Sequence, residues 1–167
     1  MGEKQNRPFH FTFNPSLKVG FQGSRITSDA GLLLMRELDE RLGMGQLISD
    51  NLKDERRGKN TQLPLPDLLR QSIYSRLAGY EDLNDAERLS QDPAFRLIGS
   101  EKIRDRGAAL PSRLHWFETP VLTQAENLFG LAAMNREMIS RAEGQERSSR
   151  AVLDKDSTEI QIGRAHV

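Results

Sequence analysis

From Leu32 to Ile139 apolar residues recur at three- and four-residue spacings, and glycine or proline cuts the pattern at short intervals. That period belongs to helices with one buried face, and the interruptions keep each helix short. Ser28 and Asp29 are cap-type residues ahead of Leu32, Met35, Leu38 and Leu42, and Gly43 stops the run. A second short helix follows through Leu47, Ile48 and Leu52. Pro66 suits a first helical turn, where its missing N–H has no partner, and Leu69, Ile73 and Leu77 then repeat every four residues until Gly79. Tyr80 to Leu89 opens another short helix, and Asp92-Pro93 caps one holding Phe95, Leu97 and Ile98. Leu110 to Glu118 is a short amphipathic helix with the only tryptophan, Trp116. Thr123-Gln124-Ala125-Glu126 has the capping-box form, and Leu128, Leu131, Met138 and Ile139 stripe the helix after it as far as Ala142.

The flanks read differently. Phe9, Phe11 and Phe13 alternate with His10 and Thr12, Asn14-Pro15-Ser16 turns the chain, and Leu17, Val19 and Phe21 resume the alternation: a β-hairpin over residues 1–26. Lys4, Arg7, Lys18 and Arg25 against Glu3 make this the most basic segment, fit either to cap the helices or to reach DNA or a second subunit. Residues 143–150 read as a linker, and residues 151–161 as a strand. The domain plan is therefore an arm (1–26), a mainly α region (27–142), a linker and the start of something else.

Composition removes several classes of function. Hydrophobic residues are 37% and charged residues 29% of the 167, enough for a modest core and too apolar and too balanced in charge for a disordered tail. Without cysteine there is no disulfide framework, thiolate metal site or thiol nucleophile. No window approaches the roughly 18 apolar residues of a membrane span, and Met1 to Arg7 lacks the apolar stretch of a secretory signal, so a cytoplasmic protein is expected. The 24 basic and 24 acidic side chains cancel, so a nucleic-acid partner must be argued from local charge. Local charge exists at Arg56, Arg57 and Lys59, at Lys102, Arg104 and Arg106, and at Arg113. Each cluster suits phosphate, and each also suits a solvated surface. The acids from Glu81 to Glu87 are explained by the preference of helix N-termini for negative charge, without a metal ion. His115, with no histidine, cysteine or carboxylate at ligand spacing, reads as structural. In a strand Asp154 and Asp156 would share one face about 6–7 Å apart, which suits a divalent ion, although Asp-Ser-Thr can also end a strand or cap a helix.

Several segments together resemble the bacterial insertion-sequence transposases of the DDE type, most closely the insertion-sequence family numbered 1380. They are Ser28-Asp29-Ala30-Gly31-Leu32-Leu33-Leu34 with Arg36-Glu37-Leu38-Asp39 and Leu42-Gly43; Asp67-Leu68-Leu69-Arg70-Gln71; Gly79-Tyr80-Glu81-Asp82-Leu83-Asn84-Asp85-Ala86; Asp92-Pro93-Ala94-Phe95; and Leu153-Asp154-Lys155-Asp156-Ser157-Thr158. Their order and spacing resemble the N-terminal third of that family. The resemblance implies a ribonuclease-H-like α/β catalytic domain beginning near residue 151, with Asp156 as its first carboxylate and metal ligand and Asp154 as the alternative. Two Mg²⁺ or Mn²⁺ ions are implied as cofactors, and double-stranded DNA, both transposon ends and target, as partner, with room for self-association in the DNA complex. Lys155 departs from the family's usual apolar residue, and Pro111 to Glu118 follows the family's Ser-Arg-Phe-Glu helix only loosely. Ile162-Gly163-Arg164-Ala165-His166-Val167 looks like a translated sequencing adapter, so the chain is expected to be a fragment, and a fragment with one carboxylate motif is expected to be inactive. The rival expectation is a non-catalytic helical DNA-binding or regulatory module ending near Ala142.

Overall fold

The computed structural model describes residues 9–19, 29–57, 62–80, 82–100, 103 and 107–145. Their architecture is mainly helical. At the N-terminal end, β1 (Phe9–His10) pairs antiparallel with β2 (Lys18–Val19), in the register Phe9 opposite Val19 and His10 opposite Lys18. Asn14 closes the connection. Its backbone oxygen accepts from the Leu17 amide at 3.0 Å and its side chain from the Ser16 amide at 3.1 Å. Beyond β1, Phe11 is buried, and the guanidinium of Arg36 lies 4.9 Å from the centre of the Phe13 ring. The rest of residues 1–26 lies outside the described residues.

Helix α1 (Leu32–Leu42) and helix α2 (Met44–Asn51) meet at Gly43, whose φ of +68° reverses the chain where a side chain would be strained. Helix α3 (Leu65–Leu77) starts behind Pro64 with Pro66 in its first turn, as the sequence leads one to expect. A 3₁₀ turn (Leu83–Asp85), α4 (Ala86–Gln91) and α5 (Pro93–Ile98) follow. Asp82 caps the first and Asp92 the last, the latter by accepting from the Phe95 amide at 2.8 Å. Helix α6 (Pro111–Trp116) runs into one π-helical turn (Phe117–Val121), and α7 (Ala125–Gln145) completes the described chain. Helix α7 continues three residues past Ala142. Among the described residues no helix is long and apolar enough to cross a membrane.

The helices pack round one core in which Ile48, Leu68, Leu89, Leu114 and Phe117 are almost wholly buried. Its position corrects the stripes expected from sequence. Leu38, Leu77, Leu128 and Ile139 are exposed, by 46%, 57%, 53% and 50%, whereas Glu37, Asp39, Gln71 and Asn127 are buried. Helix α3 packs against α2, and its buried polar residues Asp67, Gln71, Ser72 and Ser75 each find a partner. Gln71 exchanges two 2.7 Å hydrogen bonds with the backbone of Ala109, pinning the segment ahead of α6. Arg70 holds Asp39 of α1 through bonds of 2.7 and 2.9 Å, and the Tyr74 hydroxyl donates to the same carboxylate at 2.6 Å. Burial, reinforced by the adjacent Asp39 charge, pushes the Tyr74 hydroxyl far above its ordinary pKa, so it is a permanent donor. The Asp39 bond also outweighs burial at Arg70 and raises its pKa further.

Candidate nucleic-acid interface

The extended strap that leaves α2, Leu52 to Arg57, carries two of the arginines singled out for DNA contact. A single amide fixes it. Asn127 of α7, fully buried, accepts from the Lys53 amide at 2.8 Å and donates to the Lys53 carbonyl at 3.2 Å and the Val121 carbonyl at 2.9 Å. One side chain thus ties together the strap, the π-turn and α7. Tight backbone packing makes this reach short, for a methyl group at Gly130 would stand 2.2 Å from the Asn51 carbonyl oxygen.

The π-turn has a local cause. Pro120 has no N–H to give the carbonyl of Trp116, so the ladder skips a step and the Leu122 amide bonds Phe117 at 3.0 Å, five residues back. Glu118, next to Phe117, faces α3. Both its oxygens accept from Arg76 at 2.9 Å and one from the Ser72 hydroxyl at 2.6 Å. Burial would raise the pKa of Glu118, but Arg76 and Ser72 overcome it and hold the carboxyl below its ordinary value. Trp116 is thereby set at the surface, 42% exposed, at the end of a helix anchored on both sides.

Two adjoining clefts open there, of about 300 and 390 Å³, sharing Arg56 and Trp116. Ser112 and Arg113 line the first; Glu55, Arg57, Pro120, Val121 and Gln124 line the second. Arg113 and the Arg56-Arg57 pair, read from sequence as parts of different clusters, are therefore brought together round the indole. They are not equivalent. The Arg56 side chain is 3% exposed, donates to Asp54 at 2.7 and 2.6 Å and to the Leu63 carbonyl at 2.8 Å, and so ties the strap to Leu63. Its contact also depresses the pKa of Asp54. Among the described residues Arg57 and Arg113 form no ion pair. Lys59, Lys102, Arg104 and Arg106 lie outside the described residues.

A third cleft, of about 310 Å³, is lined by Asp29, Tyr80, Arg88, Leu89, Gln91, Asp92 and Pro93. Three of the segments that carry the family resemblance meet there, with the Arg88 guanidinium 5.3 Å from the centre of the Tyr80 ring. Asp82 caps the 3₁₀ turn by accepting from the Asn84 amide at 2.9 Å, and among the described residues no group of three histidine, cysteine or carboxylate side chains is placed to hold a metal ion. His115 is exposed beside Trp116. Asp154 and Asp156 lie outside the described residues.

What sequence reading missed is Asn127 and the pairing of Glu118 with Arg76, contacts between residues 74 and 42 positions apart. Trp116 carried a signal, as the only tryptophan in a short amphipathic helix. Compared with known families, residues 9–163 match the one described as transposase DDE domain group 1. No curated protein and no solved structure matches the chain.

Proposed function

Because the chain belongs to the transposase DDE domain family, we propose that residues 27–142 are the DNA-end-handling region of an insertion-sequence transposase, of the insertion-sequence family numbered 1380. The observation that carries this reading is the family match over residues 9–163, which runs past Ala142, where a free-standing helical module would end. Local charge supports it: Arg113 and Arg57, from distant parts of the sequence, line two adjoining clefts that share Trp116, in a chain of zero net charge. Phosphate contacts from such guanidiniums position duplex DNA without reading its sequence.

Catalysis on this reading belongs to a ribonuclease-H-like unit that begins near residue 151. Asp156 holds a divalent ion, with Asp154 as the neighbouring alternative, since hard carboxylate oxygens are the donors Mg²⁺ and Mn²⁺ take. Such an ion, when bound, stabilises charge on the oxygens of the phosphate under attack. Two carboxylates on one strand do not make a two-ion site, so this reading requires further carboxylates of the same unit to complete it.

The test is a titration of labelled duplex DNA at several salt concentrations. Arg57→Ala and Arg113→Ala should each weaken binding and lower the salt slope by about one unit, because each removes one phosphate contact and its released counterion. An unaltered slope in both variants would take the cleft out of the interface. Asp156→Asn should leave this binding untouched while, in a complete transposase, cutting strand cleavage by orders of magnitude, with Asp154→Asn milder.

A further inference from the structure

Duplex DNA offers phosphates and groove edges but hides the faces of its bases, and the cleft between the strap and α6 presents a π face as well as charge. Trp116 stands 42% exposed between two clefts of about 300 and 390 Å³, with Arg113 and Ser112 on one side and Arg57 and Gln124 on the other. We propose that this cleft takes an unpaired base of a DNA strand, stacked on the Trp116 indole, with the adjoining phosphates held by Arg57 and Arg113.

Three observations converge on that ligand. The indole is held open: Gln71 and Glu118 anchor α6 to α3, and the π-turn imposed by Pro120 carries the chain away, so Trp116 cannot collapse into the core. Its surroundings are unsuited to an apolar partner helix, because Arg56, Arg57, Arg113 and Glu55 ring it. Guanidiniums round an aromatic face are the arrangement that tracks a single strand, where stacking tolerates any base and charge holds the backbone. Ser112 and the amide of Gln124 add donors and acceptors for a base edge. The inference rests on the DNA-binding reading above and specifies what that site holds.

Trp116 is the only tryptophan, so the intact 167-residue chain carries its own probe. A short oligothymidylate, and a duplex with an unpaired 3′ tail, should quench its fluorescence to saturation. A blunt duplex and an abasic strand of equal length should bind without quenching. By anisotropy of labelled DNA, Trp116→Ala should weaken oligothymidylate about five- to a hundredfold and leave blunt duplex unchanged, and Trp116→Phe should recover part of the loss. Equal quenching by blunt duplex, equal affinity for the abasic strand, or full quenching by free thymidine monophosphate at the same concentration would each overturn the proposal. Blunt-duplex binding with no quenching by any strand would sink this proposal alone, whereas loss of all DNA binding would also bring down the functional reading.

Discussion

Asn127 shows how much of a site can hang on one side chain that no sequence pattern favours. It lies between Glu126 and Leu128 on a helix whose apolar residues suggest a stripe through Leu128 and Ile139, yet the buried line runs through Asn127, Gly130 and Met134. Periodicity reports that a helix has two faces; it cannot weigh a glycine that permits close approach or an amide whose partners come from 74 residues away. Asn127→Ala would take away the part-buried partner of the Lys53 amide and one donor each from the Lys53 and Val121 carbonyls, a desolvation cost at the strap's anchor. Urea unfolding should show a loss of about 2–4 kcal/mol. Duplex affinity should fall in the same variant, since the strap carrying Arg57 loses its tether. Full stability with normal affinity would show that water replaces the amide. The same logic explains why Glu37 and Asp39 escaped notice: their burial depends on Thr12, Arg41, Arg70 and Tyr74, most of them far along the chain.

Among the elements, boundaries marked by chemistry at one residue were legible, and faces were not. Gly43, Pro66 and Asp92 mark ends where a positive φ, a missing N–H and a capping carboxylate act locally. The π-turn was hidden because Pro120 reads equally well as a helix stop, and only the Leu122 to Phe117 bond shows the ladder continuing. Thr123 likewise gives its hydroxyl to the Thr119 carbonyl within that turn, a bond the capping-box pattern does not suggest. Two glycines of α7 allow a paired test of its fit against α2. A Cβ at Gly130 meets backbone at Asn51, which cannot swing aside, whereas nothing lies within 4 Å of one at Gly144. Gly130→Ala should destabilise by about 1–3 kcal/mol despite the better helix propensity of alanine. Gly144→Ala should be neutral or gain up to about 1 kcal/mol. Thermal melts of the two variants decide it; equal melting temperatures would mean that α7 does not press on α2 as described.

For the molecule as a whole, carboxylates clamp the outer pieces to the helical centre. Glu37 receives the Thr12 amide at 2.7 Å and hydroxyl at 2.9 Å, joining the N-terminal segment to α1, and Glu118 joins α6 and the π-turn to α3. Both are held below the ordinary carboxyl value of 4.5, because these bonds overcome the effect of burial. A depressed carboxyl stabilises the fold fully above its unfolded value, and the contribution is lost as pH falls through the folded one. Urea midpoints should therefore hold steady above about pH 5 and fall on acidification below 4.5, with a shallower fall in Glu37→Gln and Glu118→Gln. An unchanged acid limb in both variants would assign the loss to other groups. The clamps also have a direction in time. Arg141 closes the Leu42 carbonyl at 2.7 Å from 99 residues downstream, as Asn127 closes the strap. At about 5–20 residues per second, a ribosome needs about 5–20 s to pass from Asn51 to Gln145. Throughout that interval the nascent α2 has no α7 to cover it, and the strap that carries Arg57 has no Asn127 to hold it.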